Sequence, residues 1–293
     1  QEIGQANDTP DDVIFELFQE TAFPNQPIGR PVLGSIELIR EMPRDALTSY
    51  MGEHYIAGRM VVAAAGNLDH DQLVAEVEEA FSDIATGADT AQEPACYAGG
   101  DVRQNRDLEQ VHLALGFEGV SFSDPDYFAL SVMSTMLGGG MSSRLFQEVR
   151  EELGLVYTIY SFTTSYLDGG LLGVYAGTGE DEAETVVPVI CGILGGLAGT
   201  VSDDELKRAK AQIKAGILMS LESTASRCEQ LARQILVFGR PLPPDEVSSQ
   251  IDAVGRDAID TIARRLLGRP PTFAALGPIA RVQPFNEIVK RLG

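Results

Sequence analysis

Four short stretches of this sequence return further along it at almost one spacing. Ile28-Gly29-Arg30-Pro31-Val32 returns as Phe238-Gly239-Arg240-Pro241-Leu242, an offset of 210. Arg44-Asp45-Ala46-Leu47 returns as Arg256-Asp257-Ala258-Ile259 at an offset of 212. Gly58-Arg59 matches Gly268-Arg269 at 210, and Ala64-Ala65-Gly66 matches Ala275-Leu276-Gly277 at 211. Chance can supply one such match; four at one spacing point to a duplicated structural unit. The 293 residues are therefore expected to hold two similar domains with a period of about 210 residues. The second is expected to be nearly complete and the first to lack roughly its first hundred residues. The corresponding boundaries are 1–85 for the C-terminal part of the first domain, 86–100 for a linker and 101–293 for the second.

Local patterns fill in both halves. Thr9 is placed to cap a helix, with Pro10 at its first position and Asp11 and Asp12 in the first turn, where acids suit the helix dipole. Val13, Ile14, Leu17 and Phe18 give that helix an apolar stripe. Ser35 can cap a short helix, a second helix runs from Pro43 to about Tyr55, and Asp69 caps a third with Leu73, Val74, Val77 and Phe81 on one side. Between them Arg59–Gly66 reads as a buried strand. The stretch up to Gly100 is rich in Ala, Gly, Asp, Thr and Pro and reads as the linker. Beyond it, residues 111–117 read as a strand, 125–137 and 142–153 as helices, and 155–166 and 171–177 as β runs joined at Asp168-Gly169-Gly170. A helix over 181–197 and one long helical region over 203–238 follow, then helix, helix, strand (272–276) and helix.

Composition narrows the function. The net charge of -21 disfavours nucleic-acid phosphate as a partner and suits a cationic substrate or plain solubility. No apolar run reaches the length of a membrane-spanning helix, about 18 residues. Cys96, Cys191 and Cys228 are odd in number and far apart, so they read as free thiols in a reducing compartment, with a cytoplasm expected. No start methionine precedes Gln1, so targeting stays open. His54, His70 and His112 form neither H-x-x-H nor H-x-x-x-H, so a catalytic zinc site would need ligands these histidines do not supply. Asp12 and Glu16, four apart, share a helix face: either a solvated acidic face or a pair of carboxylates suited to a guanidinium. Gly138-Gly139-Gly140 lacks a following Lys-Ser or Lys-Thr, which excludes a phosphate loop and leaves a tight turn between helices.

With these pieces placed, the chain resembles the insulinase and mitochondrial-processing-peptidase family of zinc metallopeptidases. The resemblance runs over essentially the whole chain. It is carried by Gln1-Glu2-Ile3 leading to Thr9-Pro10-Asp11-Asp12, by Gln26 to Gly34, and by His112-Leu113-Ala114-Leu115-Gly116-Phe117. The most specific parts are Leu137-Gly138-Gly139-Gly140-Met141-Ser142-Ser143-Arg144-Leu145-Phe146 and Val149-Arg150-Glu151-Glu152-Leu153-Gly154-Leu155-Val156-Tyr157. The size suggests the short bacterial branch that looks like the processing-peptidase subunits. The resemblance implies an α+β fold of two homologous domains, each a mixed, largely antiparallel sheet with helices on one face.

It further implies a zinc endopeptidase that encloses unfolded or extended peptides in a chamber, short members doing so as homodimers or with a related subunit. The family's H-x-x-E-H is absent from these residues and is expected upstream. Glu2 falls at the third-ligand position, and its repeat counterpart is Gln212, a poor zinc ligand, so the second domain is expected to be metal-free. Arg150 and Tyr157 match residues that hold substrate backbone and steady the tetrahedral intermediate. Asp12 and Glu16 match acids that bind a substrate arginine, and Gly138, Gly139 and Gly140 match a longer glycine-rich substrate loop. The alternative is a non-catalytic partner or scaffold subunit of the same family.

Overall fold

The structure, a computed structural model, describes residues 1–87 and 92–293. Of the expected linker, residues 88–91 lie outside the described residues. The first repeat segment holds α1 (Glu2–Asn7), α2 (Pro10–Ala22), α3 (Ile36–Glu41), α4 (Arg44–His54) and α5 (His70–Phe81). Then come β1 (Gly100–Asn105), β2 (Val111–Glu118), α6 (Tyr127–Gly138), a π-helical segment (Phe146–Glu152), β3 (Thr158–Ser165), β4 (Gly170–Thr178) and α7 (Ala183–Gly195). The chain continues through α8 (Asp203–Ser220), α9 (Thr224–Phe238), α10 (Pro244–Ala253), α11 (Arg256–Leu267), β5 (Thr272–Gly277) and α12 (Phe285–Leu292). The order α1–α2–α3–α4, extended segment, α5 recurs as α8–α9–α10–α11–β5–α12.

Compactness divides the chain differently from the repeat. One unit comprises residues 1–34, 93–213 and 249–293; the other comprises 35–92 and 214–248. The larger unit is built on one five-stranded sheet in the order β1-β5-β2-β4-β3. Only β1 and β5 run parallel; the β5–β2, β2–β4 and β4–β3 pairs are antiparallel, the mixed, largely antiparallel sheet expected. Strand side chains alternate between faces. Ser161 of β3 donates its hydroxyl to the carbonyl of Ser134 in α6 at 2.6 Å, which puts α6 on one face with α11 beside it. Tyr160, Phe162, Tyr175, Ala114 and Leu276 point the other way, and α2 lies over them. Val13, Ile14, Phe18 and Ala22 of α2 are buried there, and Phe15 meets Phe162 edge to face with ring centroids 5.0 Å apart. The sheet thus carries helices on the expected face and also an N-terminal helix on the opposite one. Both faces of its central strands are apolar, β2 being buried through seven successive residues, and an apolar face must be covered.

The smaller unit holds α3, α4, α5 and α9. Its helix starts follow the capping residues: Ser35 accepts from the Leu38 N–H at 3.1 Å and Asp69 from the Gln72 N–H at 2.9 Å. The buried strand expected at Arg59–Gly66 is not formed. Residues 60–65 carry no sheet assignment, and Met60 and Val62 are exposed. Their repeat counterpart β5 sits between β1 and β2, whereas residues 60–65 have no strand beside them among the described residues, and a lone strand leaves its N–H and C=O groups unpaired. The single helical region expected over 203–238 is interrupted, because Ser223 caps a new helix by accepting from the Ser226 N–H at 3.3 Å. No helix of the described residues is long and apolar enough to cross a membrane. The three cysteines are unpaired.

Candidate functional site

Three groups of residues bear on function, and each is positioned by local sequence. The first is the α1–α2 segment. Thr9 occupies the position before α2, but its hydroxyl does not cap that helix. It donates back to the Gln5 carbonyl of α1 at 3.0 Å, tying the two helices together. Glu2 is exposed on α1. On α2, Asp12 and Glu16 are joined by Glu20, so carboxylates stand at i, i+4 and i+8. Glu16 is held above the usual carboxylate range, first by its partial burial and then by the charges of Asp12 and Glu20. Glu20 continues the row by the same four-residue step, a spacing the sequence itself shows.

The second group is Arg150 and Tyr157. Arg150 lies in the π-helical segment Phe146–Glu152, where the wider turn is closed by Leu153 N–H to Glu148 O at 3.1 Å. Its guanidinium stacks on the Phe146 ring, 4.7 Å from the centroid, and the residue is exposed. Gly154 then turns the chain with φ +64°, a left-handed conformation that ends the helix and that glycine adopts without strain. Tyr157 follows just before β3; its N–H donates to Gly177 O at 2.9 Å while its side chain is 63% exposed. One short turn therefore presents both side chains to solvent.

The third is the glycine run at the end of α6. A Cβ at Gly138 would collide with the Ser161 backbone, so this glycine permits close packing of α6 on β3, while one at Gly139 would collide with Thr135 in the last turn of α6 itself. The Gly139 carbonyl accepts from the Gln212 side-chain amide at 2.6 Å. Gln212 is the counterpart of Glu2 in the repeat, and here it serves as a backbone tether. Gly140 lies beside the same amide.

A further arrangement leaves no local signal in the sequence, because its members lie far apart in the chain. Asp11, at the head of the buried stripe of α2, accepts the Tyr175 hydroxyl proton at 2.6 Å and lies 3.1 Å from His112 Nδ1. His112 Nδ1 is 2.8 Å from the Tyr175 oxygen, an arrangement that assigns the imidazole N–H to Nδ1. Burial lowers the His112 pKa and outweighs the opposing effect of Asp11. Burial, then the hydrogen bond and charge of Asp11, push the Tyr175 phenol well above its usual range.

A zinc site needs three protein ligands and an open position. Among the described residues no group of three or more His, Cys, Asp or Glu side chains could hold a metal ion. Glu2 offers one carboxylate, His112 is engaged by Asp11 and Tyr175, and His54 lies 3.2 Å from the Arg59 guanidinium. The residues present do not make up a zinc site, and no catalytic step runs through a metal held by them alone.

Comparison with known proteins fits this picture. The family profile described as the peptidase M16 inactive domain matches residues 41–213, more than half of the chain. The chain belongs to the peptidase M16 family. It is 36% identical over 279 residues to a Rickettsia bellii protein named as an uncharacterized zinc protease, covering 95% of this chain and 68% of that protein. It is 34% identical to an Arabidopsis thaliana protein named as a probable mitochondrial-processing peptidase subunit beta, covering 99% of this chain and 58% of that protein. A chain of Complex III2 from Candida albicans superposes with a TM-score of 0.91 at 22% identity, covering 99% of this M16 chain and 72% of that one, a likeness of fold.

Proposed function

We propose that this chain is part of a zinc metalloendopeptidase that cleaves extended or unfolded polypeptides, with a preference for a basic residue near the cleaved bond. What supports it most is the exposed Arg150–Tyr157 turn at the family spacing, on a chain 36% identical to a protein named as a zinc protease. Glu2 contributes one carboxylate to a zinc site whose histidines lie in the rest of the parent protein. When bound, the zinc would supply a polarised carbonyl and an activated water. Arg150 and Tyr157 hold the substrate backbone and donate hydrogen bonds where negative charge develops. Asp12 and Glu16 receive a substrate guanidinium in a charge-assisted pair, and Gly138–Gly140 border the substrate path. The working form is a dimer, of two copies or with a related subunit; the Arabidopsis relative is itself named as a subunit. A non-catalytic partner subunit is the competing reading, and zinc content separates the two.

The basic preference has its own test. In the full-length protein, Asp12→Asn with Glu16→Gln should raise KM for an arginine-containing fluorogenic peptide by about tenfold or more, the loss of a hydrogen bond to a charged group. The same peptide with glutamine in place of arginine should be cleaved as before. Stability should not fall, because like charges four apart on a helix cost roughly 0.2–0.5 kcal/mol per pair. An equal loss for both peptides would leave these acids as ordinary surface charge.

A further inference from the structure

The face of α2 that meets the sheet is apolar except at its head. Ile14, Phe18 and Ala22 repeat every four residues and are buried against small and aromatic residues of β2, β4 and β5. Phe18 seats over Gly116 of β2, where a Cβ would collide with its ring, and the Ala22 carbonyl accepts from the Ala98 N–H at 2.9 Å, so the middle and the C-terminal end of α2 are placed by these contacts. Asp11 makes the directional contact at the head of the helix. Its carboxylate is met by the Tyr175 hydroxyl at 2.6 Å and faces His112 Nδ1 at 3.1 Å, two donors held on adjacent antiparallel strands. His112 and Tyr175 project from the same face because Tyr175 pairs with Ala114, two residues from His112. The next residue on the helix is Asp12, which begins the acidic row.

We infer that Asp11, Tyr175 and His112 are positioning residues that lock the N-terminal end of α2 on the sheet and thereby aim Asp12 and Glu16 at a basic substrate residue, an inference that rests on the proposed function. The lock joins the first repeat to the sheet of the second, so the acids that read the substrate are set by residues of β2 and β4, 96 to 163 positions away. Removing the phenol hydroxyl leaves the ring packing intact and deletes the shorter of the two contacts that Asp11 makes. α2 keeps its apolar burial, and its head is held by the His112 contact alone.

The test uses the full-length protein and two fluorogenic peptides that differ only in arginine against glutamine near the cleaved bond. The readout is the ratio of kcat/KM for the two. Tyr175→Phe should lower that ratio about tenfold, through KM for the arginine peptide, as expected when a binding group is misplaced by a fraction of a turn. Asp11→Asn, which keeps an oxygen acceptor, should lower it less. The double variant should fall short of the sum of the two single effects, since both changes act on the Asp11–Tyr175 bond and only the Asp11 change also acts on the His112 contact. A lower unfolding midpoint with an unchanged ratio would overturn the inference in favour of a structural bond only. Should Tyr175→Phe fail to fold, Asp11→Asn carries the same comparison. If Asp12→Asn with Glu16→Gln alters the ratio while both lock variants do not, the lock alone is wrong. If that acidic pair leaves the ratio unchanged, the substrate reading falls and the lock falls with it.

Discussion

Replacing Arg150 by alanine in the full-length protein should lower peptide turnover about 10²–10³-fold, the usual cost of deleting one preorganised donor to developing negative charge. Thermal stability should hardly move, because the side chain is exposed on the π-helical segment, with its guanidinium carbon 4.7 Å from the centroid of the Phe146 ring. A cation–π contact attracts the guanidinium without a lone-pair acceptor. Arg150→Lys retains the charge but not the planar fork, so it should recover only part of the activity. Steady-state kinetics on an extended peptide decide the point: a fall in kcat with KM little changed assigns Arg150 to the transition state, and a change in KM alone assigns it to ground-state binding. Turnover within a factor of about two of wild type would leave Arg150 as a surface residue.

The largest stability effect is expected at Arg144 and Glu205. Arg144 donates through Nε and Nη2 to the two Glu205 oxygens at 2.7 and 3.1 Å, and through Nη1 and Nη2 to the Thr200 hydroxyl and carbonyl. Both side chains of the pair are only 20% exposed. The Arg144 bonds, with help from the Ser202 N–H and hydroxyl, pull the Glu205 carboxyl down to about 2 from an unfolded value of 4.5. A depressed carboxyl stabilises the fold above its unfolded pKa and loses that contribution as pH falls through the folded one, so the window runs from about 4.5 down to about 2. Arg144→Ala should cost roughly 1.5–3 kcal/mol at neutral pH, a charge-assisted bond lost with its acceptor left half-buried. Denaturant midpoints of wild type and variant should converge as pH is lowered across that window. A constant difference between pH 7 and pH 2.5 would mean that the effect comes from packing of the Arg144 stem.

Much of the fold was legible because the signals were local. Ser35 and Asp69 mark helix starts through side-chain bonds that operate within four residues; Ser223 caps in the same way, but inside a stretch that reads as one long helical region. The Asp168-Gly169-Gly170 turn joins β3 and β4 as its composition requires. What escaped the sequence was long-range. β1 reads Gly-Asp-Val-Arg-Gln-Asn, too polar for a core strand, and it forms because β5 offers a parallel edge 172 positions away. Residues 60–65 show the converse: a strand-like sequence stays unpaired among the described residues. The π turn around Arg150 leaves no compositional trace, and neither does the meeting of Asp11 with His112 and Tyr175, which depends on α2 crossing to the sheet of the other repeat half. The resemblance to the family points to Arg150, Tyr157, Asp12 and Glu16, and the four-residue step extends the acidic row to Glu20; only the structure puts Arg150 on a widened turn.

The most direct measurement is zinc content, by metal analysis of the purified full-length protein alongside its Glu2→Gln variant and residues 1–293 alone. The account predicts one tightly held zinc per full-length chain, with turnover of an arginine-containing peptide. Both should be lost in Glu2→Gln while the fold is retained, and residues 1–293 alone should hold no stoichiometric zinc. Stoichiometric zinc that survives in Glu2→Gln, or zinc with turnover in residues 1–293 alone, would contradict it.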